Sequence, residues 1–144
     1  MKIRKLCTAA VASIGVAFGA PASASIVGYL DVVDVYMIDT AYGWVCDNWI
    51  PSQTPLAGSL QVYVDGNFQK DYPLTSGNWG SSRPDTAGVC NGYTNTGFSL
   101  SEWFWHGYDT TVRVYFRHND GTMQQLGCGI RVTGGGRNTT QVCP

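Results

Sequence analysis

Leu60-Gln61-Val62-Tyr63-Val64 alternates apolar positions with polar or amphipathic ones, and so does Thr111 to Arg117, where Val112, Val114 and Phe116 stand against Arg113, Tyr115 and Arg117. A period of two marks a strand with one face buried. Ile26 to Ile38 is rich in β-branched and aromatic residues, which suits one long strand or two short ones broken near Asp34. Gly43-Trp44-Val45-Cys46 reads as the next strand, entered through a turn-like Asp39-Thr40-Ala41-Tyr42. Asp65-Gly66 joins the Leu60 run to Phe68–Leu74, and such a pair between strand-like runs predicts a tight hairpin, because both central residues of a type I′ turn need positive φ. Asn119-Asp120-Gly121 predicts a second hairpin leading into Thr122–Leu126, with Cys128–Val132 extending or following that strand.

Between these runs lie two irregular stretches. Asn48 to Ser59 carries Pro51 and Pro55 and is expected to be a connecting loop. Ser76 to Gly97 is longer than loops in small domains usually are, so it needs a function or a pin. Gly97-Phe98-Ser99-Leu100 is a further short strand, and Ser101 to His106 has room for one helical turn at most. About seven short strands separated by turn signals predict an all-β fold, an antiparallel sandwich or barrel.

The N-terminus has a different character. Lys2, Arg4 and Lys5 precede an uncharged run from Leu6 to Ala20, followed by Ala22-Ser23-Ala24, the pattern of a secretory signal peptide cleaved near Ala24. The expected organisation is a signal peptide over 1–24, a β-sandwich over 25–133 and a flexible Gly-rich tail over 134–144. Removing those three cations from the nine basic residues leaves six against ten acidic ones, roughly −4 for the exported chain. Six scattered cations argue against nucleic acid, and no later apolar run is long enough to span a membrane. The protein is expected to be secreted or periplasmic.

Cys7 leaves with the signal, and four cysteines remain: Cys46, Cys90, Cys128 and Cys143. An even number in a small exported chain predicts two disulfides with three available pairings. Cys46 with Cys90 and Cys128 with Cys143 is preferred, because the second pair would tie down the Gly-rich tail. Close cysteine pairs suited to zinc are missing, and so is any D-x-D-x-D-G loop for calcium. Asp65 and Asp120 are assigned to turns; no metal or cofactor is expected.

In order along the chain, Gly28-Tyr29-Leu30-Asp31, Gly43-Trp44-Val45-Cys46-Asp47, Val62-Tyr63-Val64-Asp65-Gly66, Arg83-Pro84-Asp85, Gly97-Phe98 and Val112-Arg113-Val114-Tyr115 form a set of motifs. The set resembles a bacterial exported immunoglobulin-like β-sandwich module. The resemblance covers nearly the whole mature chain. It implies an antiparallel immunoglobulin-like sandwich, a Cys46–Cys90 bridge and no catalytic residues. Cys128, Cys143 and the tail lie outside it. Trp44 is expected to plug the core beside Cys46, and Arg83 with Asp85 to fix the long loop.

Catalysis needs an acid, a base or an activated nucleophile in mutual reach. The chain offers His106, His118 and one glutamate, Glu102, beside nine aspartates, and it has no G-x-S-x-G, H-E-x-x-H or phosphate-loop motif. No enzymatic function is expected. Aromatic content is the positive signal: once Phe18 leaves with the signal, five Trp, eight Tyr and four Phe exceed what one small core requires. Exposed rings stack on the apolar faces of sugars or anchor protein interfaces. Trp49 and Trp79, in polar loops, with Asn91 and Tyr93 in the cysteine-pinned loop, are the candidate ligand-binding residues. Trp103 and Trp105 are assigned to packing. The expected function is recognition of glycan or another cell-envelope component through loop aromatics; the alternative is a protein-interaction module, an inhibitor or accessory of another exported protein.

Overall fold

The computed structural model describes residues 26–35, 39–48, 56–75, 77–102 and 109–144. The expected signal peptide, Trp49, Trp103, Trp105 and His106 lie outside the described residues. Ten strands and one 3-10 turn, Pro84–Thr86, make up the regular structure described. The strands are β1 Ile26–Asp34, β2 Asp39–Asp47, β3 Gly58–Val64, β4 Asn67–Pro73, β5 Trp79–Ser81, β6 Gly97–Glu102, β7 Asp109–His118, β8 Met123–Gln125, β9 Gly129–Thr133 and β10 Asn138–Val142. They form two antiparallel sheets, one in the order β1-β2-β6-β5 and the other β10-β9-β7-β3-β4. β8 pairs with the C-terminal half of β7, while β9 takes its N-terminal half.

The fold is an all-β sandwich. Ile26, Leu30, Val33, Ala41, Val45, Phe98 and Leu100 from the smaller sheet join Leu60, Val62, Val64, Tyr72, Val112, Val114, Phe116, Ile130 and Val132 from the larger one in a single buried cluster. Alternation sends the neighbours of these residues to the two outer faces. At the β3–β4 turn Asp65 and Gly66 have φ of 51° and 81°, as a type I′ hairpin requires. In the second hairpin, Gly121 (φ 88°) donates its N–H to the His118 carbonyl, the pattern of a type I turn closed by a left-handed residue.

Four local expectations are corrected. Asp39–Tyr42 is no turn: it opens β2, where pairing with β1 on one side and β6 on the other overrides turn propensity. The long irregular stretch contains β5, added at the edge of the smaller sheet. The Gly-rich tail is not flexible throughout, because Gly134, Gly135 and Gly136, with φ of 63°, 67° and 90°, turn the chain so that β10 pairs with β9 over five residues. Trp44 does not plug the core. It alternates with buried Gly43 and Val45, shares a face with exposed Tyr42, and stands half-buried opposite Tyr29. Gly43 is required there because a Cβ would collide with the Tyr29 carbonyl and come within 2.5 Å of the Phe98 ring.

Both disulfides join the preferred partners, Cys46–Cys90 and Cys128–Cys143, with Cα separations of 5.8 and 4.3 Å. Two such bridges indicate folding in an oxidising compartment. Among the described residues no helix is long and apolar enough to cross a membrane. Cys46 has the outward parity of Tyr42 and Trp44, yet it is fully buried because the loop bearing Cys90 covers it.

Replacing Cys128 and Cys143 by Ser opens a 15-residue loop and should cost about 3 kcal/mol in a urea titration; opening the 44-residue Cys46–Cys90 loop should cost about 4 kcal/mol. Negligible losses in both variants would show that the rest of the chain, not the bridges, sets stability.

Candidate functional site

The loop between β5 and β6 is tightly held. Arg83 Nε and Nη2 donate to the two carboxylate oxygens of Asp85 at 2.9 and 2.7 Å, while Nη1 reaches Asp31 on β1 at 2.6 Å. This planar fork joins the loop to the far edge strand of the smaller sheet. Arg83 lowers the Asp85 pKa below the ordinary carboxylate value, chiefly by donating hydrogen bonds to the charged form. Deeper in the loop the buried Thr86 hydroxyl donates to the Arg83 carbonyl at 2.8 Å, so the Thr96 hydroxyl is the donor across the 2.8 Å contact between the two threonines. Arg83 and Asp85 therefore fix the loop, as the sequence suggests.

The predicted loop site comes together only in part. Asn91, exposed and at φ 53°, lines a shallow groove of about 430 Å³ with Asn48, Gly88 and Val89. Trp79 and Tyr93 do not line it. Trp79 sits opposite Phe98 in β5, packs against the core cluster, and donates its indole N–H to the Val45 carbonyl at 3.3 Å. Its ring is a half-buried wedge and not a free platform. Tyr93 is half-buried, and its backbone N–H bonds to the Cys90 carbonyl.

A second surface, missed by reading the loops, lies on the outer face of the larger sheet. Tyr63 on β3 and Tyr115 on β7 are diagonal neighbours in the ladder, where Tyr63 faces Arg113 and Gln61 faces Tyr115. Their rings meet edge to face at 5.1 Å. Phe68 on β4 joins them at 5.6 Å from Tyr63 and is 53% exposed. A β-bulge at Val62/Tyr63 brings it there: Tyr72, opposite Leu60, points inward, and without the extra residue Phe68 would share that parity.

The polar groups around these rings are oriented by one another. Tyr63 Oη donates to Gln61 Oε1 at 3.2 Å, and Gln61 Nε2 donates to Asp71 Oδ1 at 2.8 Å, where the Ser59 hydroxyl also donates at 2.6 Å. Across the sheet Tyr115 Oη donates to Gln125 Oε1 at 3.2 Å, and Gln125 Nε2 donates to the Gly127 carbonyl at 2.9 Å. With its proton committed, each phenol oxygen keeps lone pairs to accept bonds from an incoming hydroxyl. Tyr63, Gly66, Arg113, Tyr115 and Met123 line an open groove of about 320 Å³ here. The signal for this surface was present in the alternation itself, since a ring at a polar-parity position of a half-buried strand must stand outside.

Among the described residues no group of three or more His, Cys, Asp or Glu side chains is placed to hold a metal ion. His118 is half-buried with its ring edge-on to the buried Phe116 at 4.8 Å. Asp120 accepts bonds from the Thr122 hydroxyl and N–H, which lower its pKa and assign it to the turn. No family model, curated protein or solved structure matches the chain.

Because the Asp85 pKa is depressed in the folded state, its contribution to stability is present above the ordinary carboxylate pKa and is lost as pH falls through the folded value. Asp85→Asn should therefore lower the melting temperature slightly at neutral pH and converge with the parent as pH falls below about 4. A constant offset down to pH 2 would show that the carboxylate's charge is irrelevant to holding the loop.

Proposed function

We propose that the chain is a non-catalytic binding module, exported to the periplasm or beyond and similar to the bacterial immunoglobulin-like sandwich modules that its motifs resemble. On this reading it recognises glycan of the cell envelope through rings on the outer face of its larger sheet, and not mainly through its loops. The observation that carries the proposal is the cluster of Tyr63, Phe68 and Tyr115, whose rings stand among oriented amides and phenols on an open sheet surface. Sugars need this combination, because each ring has an apolar C–H face and a rim of hydroxyls that must keep hydrogen bonds when water is displaced. The groove is open to solvent, which suits a segment of extended polymer more than an enclosed small molecule.

Val32 and Tyr42 favour a second reading. They are 51% and 42% exposed and face each other across β1 and β2, an apolar pair on the outer face of the smaller sheet that would serve as an anchor for an exported protein partner.

The two readings separate in a pull-down on a panel of insoluble polysaccharides. Tyr115→Ala and Phe68→Ala should each reduce retention about fivefold or more, the stacking of a ring being worth about 1 kcal/mol, with Phe68→Ala leaving the melting temperature nearly unchanged. Retention that survives both variants but is lost in Trp79→Ala or Asn91→Ala would return the site to the loop. Absence of retention on every polysaccharide, with a complex that Tyr42→Ala breaks, would favour the protein partner.

A further inference from the structure

Charge on the aromatic face is distributed unlike charge on the rest of the chain. Outside the N-terminal segment there are six cations, and three of them, Arg113, Arg117 and Arg131, fall at outward positions of β7 and β9. Arg131 is held by Asp109 through a two-point pair, and its hydrogen bonds lower the pKa of that carboxylate. Two other carboxylates in this region, Asp71 and Asp65, are occupied, the first by Ser59 and Gln61 and the second by the Thr111 N–H. Arg113 and Arg117 have no carboxylate partner among the described residues. They lie on either side of Tyr115 in the same strand, four residues and so about 13 Å apart along β7, the length of about three sugar rings.

The position of Arg113 is shaped by the backbone beneath it. Its side chain crosses β9 at Gly129, where a Cβ would come within 2.9 Å of Arg113 Cγ. The missing side chain lets the arginine lie along the sheet beside the groove that it lines with Tyr63 and Tyr115. Arg117 is exposed and stands opposite Met123, which lines the same groove. A ring platform with a guanidinium at each end, set in a chain whose overall charge is negative, is complementary to a ligand that is both ringed and anionic.

From this arrangement we infer that the ligand is an acidic polysaccharide, a chain of uronic acid residues whose carboxylates pair with Arg113 and Arg117 while a sugar face rests on Tyr115 and its neighbours. The inference rests on the glycan reading above and narrows it. Guanidinium forks match carboxylates in two-point geometry, and the rings exclude water from one side of the pairs. Neutral glycans would use the same rings but leave both arginines without a partner.

The test uses the full mature protein in affinity electrophoresis and calorimetry with polygalacturonate, alginate and their carboxyl-reduced, neutral forms. Expected is binding to at least one polyuronate, at least tenfold loss on carboxyl reduction, about tenfold loss in Arg113→Gln and in Arg117→Gln, and loss in Tyr115→Ala. Both arginine variants should keep the parent's melting temperature, because neither side chain is in an ion pair among the described residues. Equal binding of the native and reduced polymers, unchanged in the arginine variants, overturns this inference and leaves the glycan reading standing. Binding to neither form, nor to any neutral polysaccharide of the panel, overturns both. Equal binding to single-stranded DNA, insensitive to Tyr115→Ala and abolished by 0.3 M salt, also overturns it by reducing the face to a generic cationic surface.

Discussion

Pairing of β3 with β7 couples the core to the outer surface, since every residue that enters the space between the sheets obliges its neighbour to stand outside. Leu60, Val62, Val64, Val112, Val114 and Phe116 are nearly inaccessible, so Gln61, Tyr63, Arg113 and Tyr115 have no choice of face. A one-residue slip of β7 would bury Arg113, Tyr115 and Arg117 while exposing Val112, Val114 and Phe116, and the cost of that exchange keeps the outer ring in place. The surface is preorganised by the same contacts that hold the sandwich together. Side-chain ordering is then settled on folding and not at the moment of binding.

The loop between β5 and β6 obeys a different constraint. It has little apolar content of its own, and its position depends on polar and covalent links: Cys90 to Cys46, the Arg83 fork to Asp31 and Asp85, and the stacked hydroxyls of Thr86 and Thr96. These links commit the side chains that make them to holding the loop. Trp79 is spent in the same way, as its indole N–H is bonded to Val45 and its ring packs on the core. A loop that needs this much fastening is better understood as cover for Cys46 and the end of β2 than as a recognition element, which is why the proposed site moves to the sheet.

Legibility followed the range of the interactions involved. Alternation in β3 and β7, the Asp65-Gly66 and Asn119-Asp120-Gly121 turns and the presence of two disulfides could be read because each depends on neighbours in sequence or on simple counting. Gly28, Gly43 and Gly97, read only as parts of motifs, acquire a reason in the structure: a Cβ at each would collide with backbone or side chains of an adjacent strand. Elsewhere local signals misled. Asp39-Thr40 looks like a turn but is claimed by two neighbouring strands, and Trp44 looks like a core residue but has the parity of Tyr42. The position of Phe68 was not legible at all, because a single bulge in the ladder reverses its face and nothing local announces it. The loop residues drew attention through composition, whereas the sheet face could be assembled only by knowing that β3, β4, β7 and β8 are neighbours.

Overall acidity and the local arginines work together on the proposed face. Charge attraction by itself is non-directional and favours any polyanion, so a surface that relied on it would bind nucleic acid as readily as polysaccharide. Here the ten acidic residues outnumber the six cations of the chain beyond its N-terminal segment, and long-range attraction for polyanions is correspondingly weak. Binding must be completed at short range, where a guanidinium meets a carboxylate and a ring meets an apolar face at the same time. The edge-to-face contact of Tyr63 with Tyr115 fixes where that face can rest, and the spacing of Arg113 and Arg117 along one extended strand fixes where the charges must fall. On the proposed reading, selectivity comes from the requirement that both be met by one ligand, a demand that side chains fixed on a paired sheet are suited to impose.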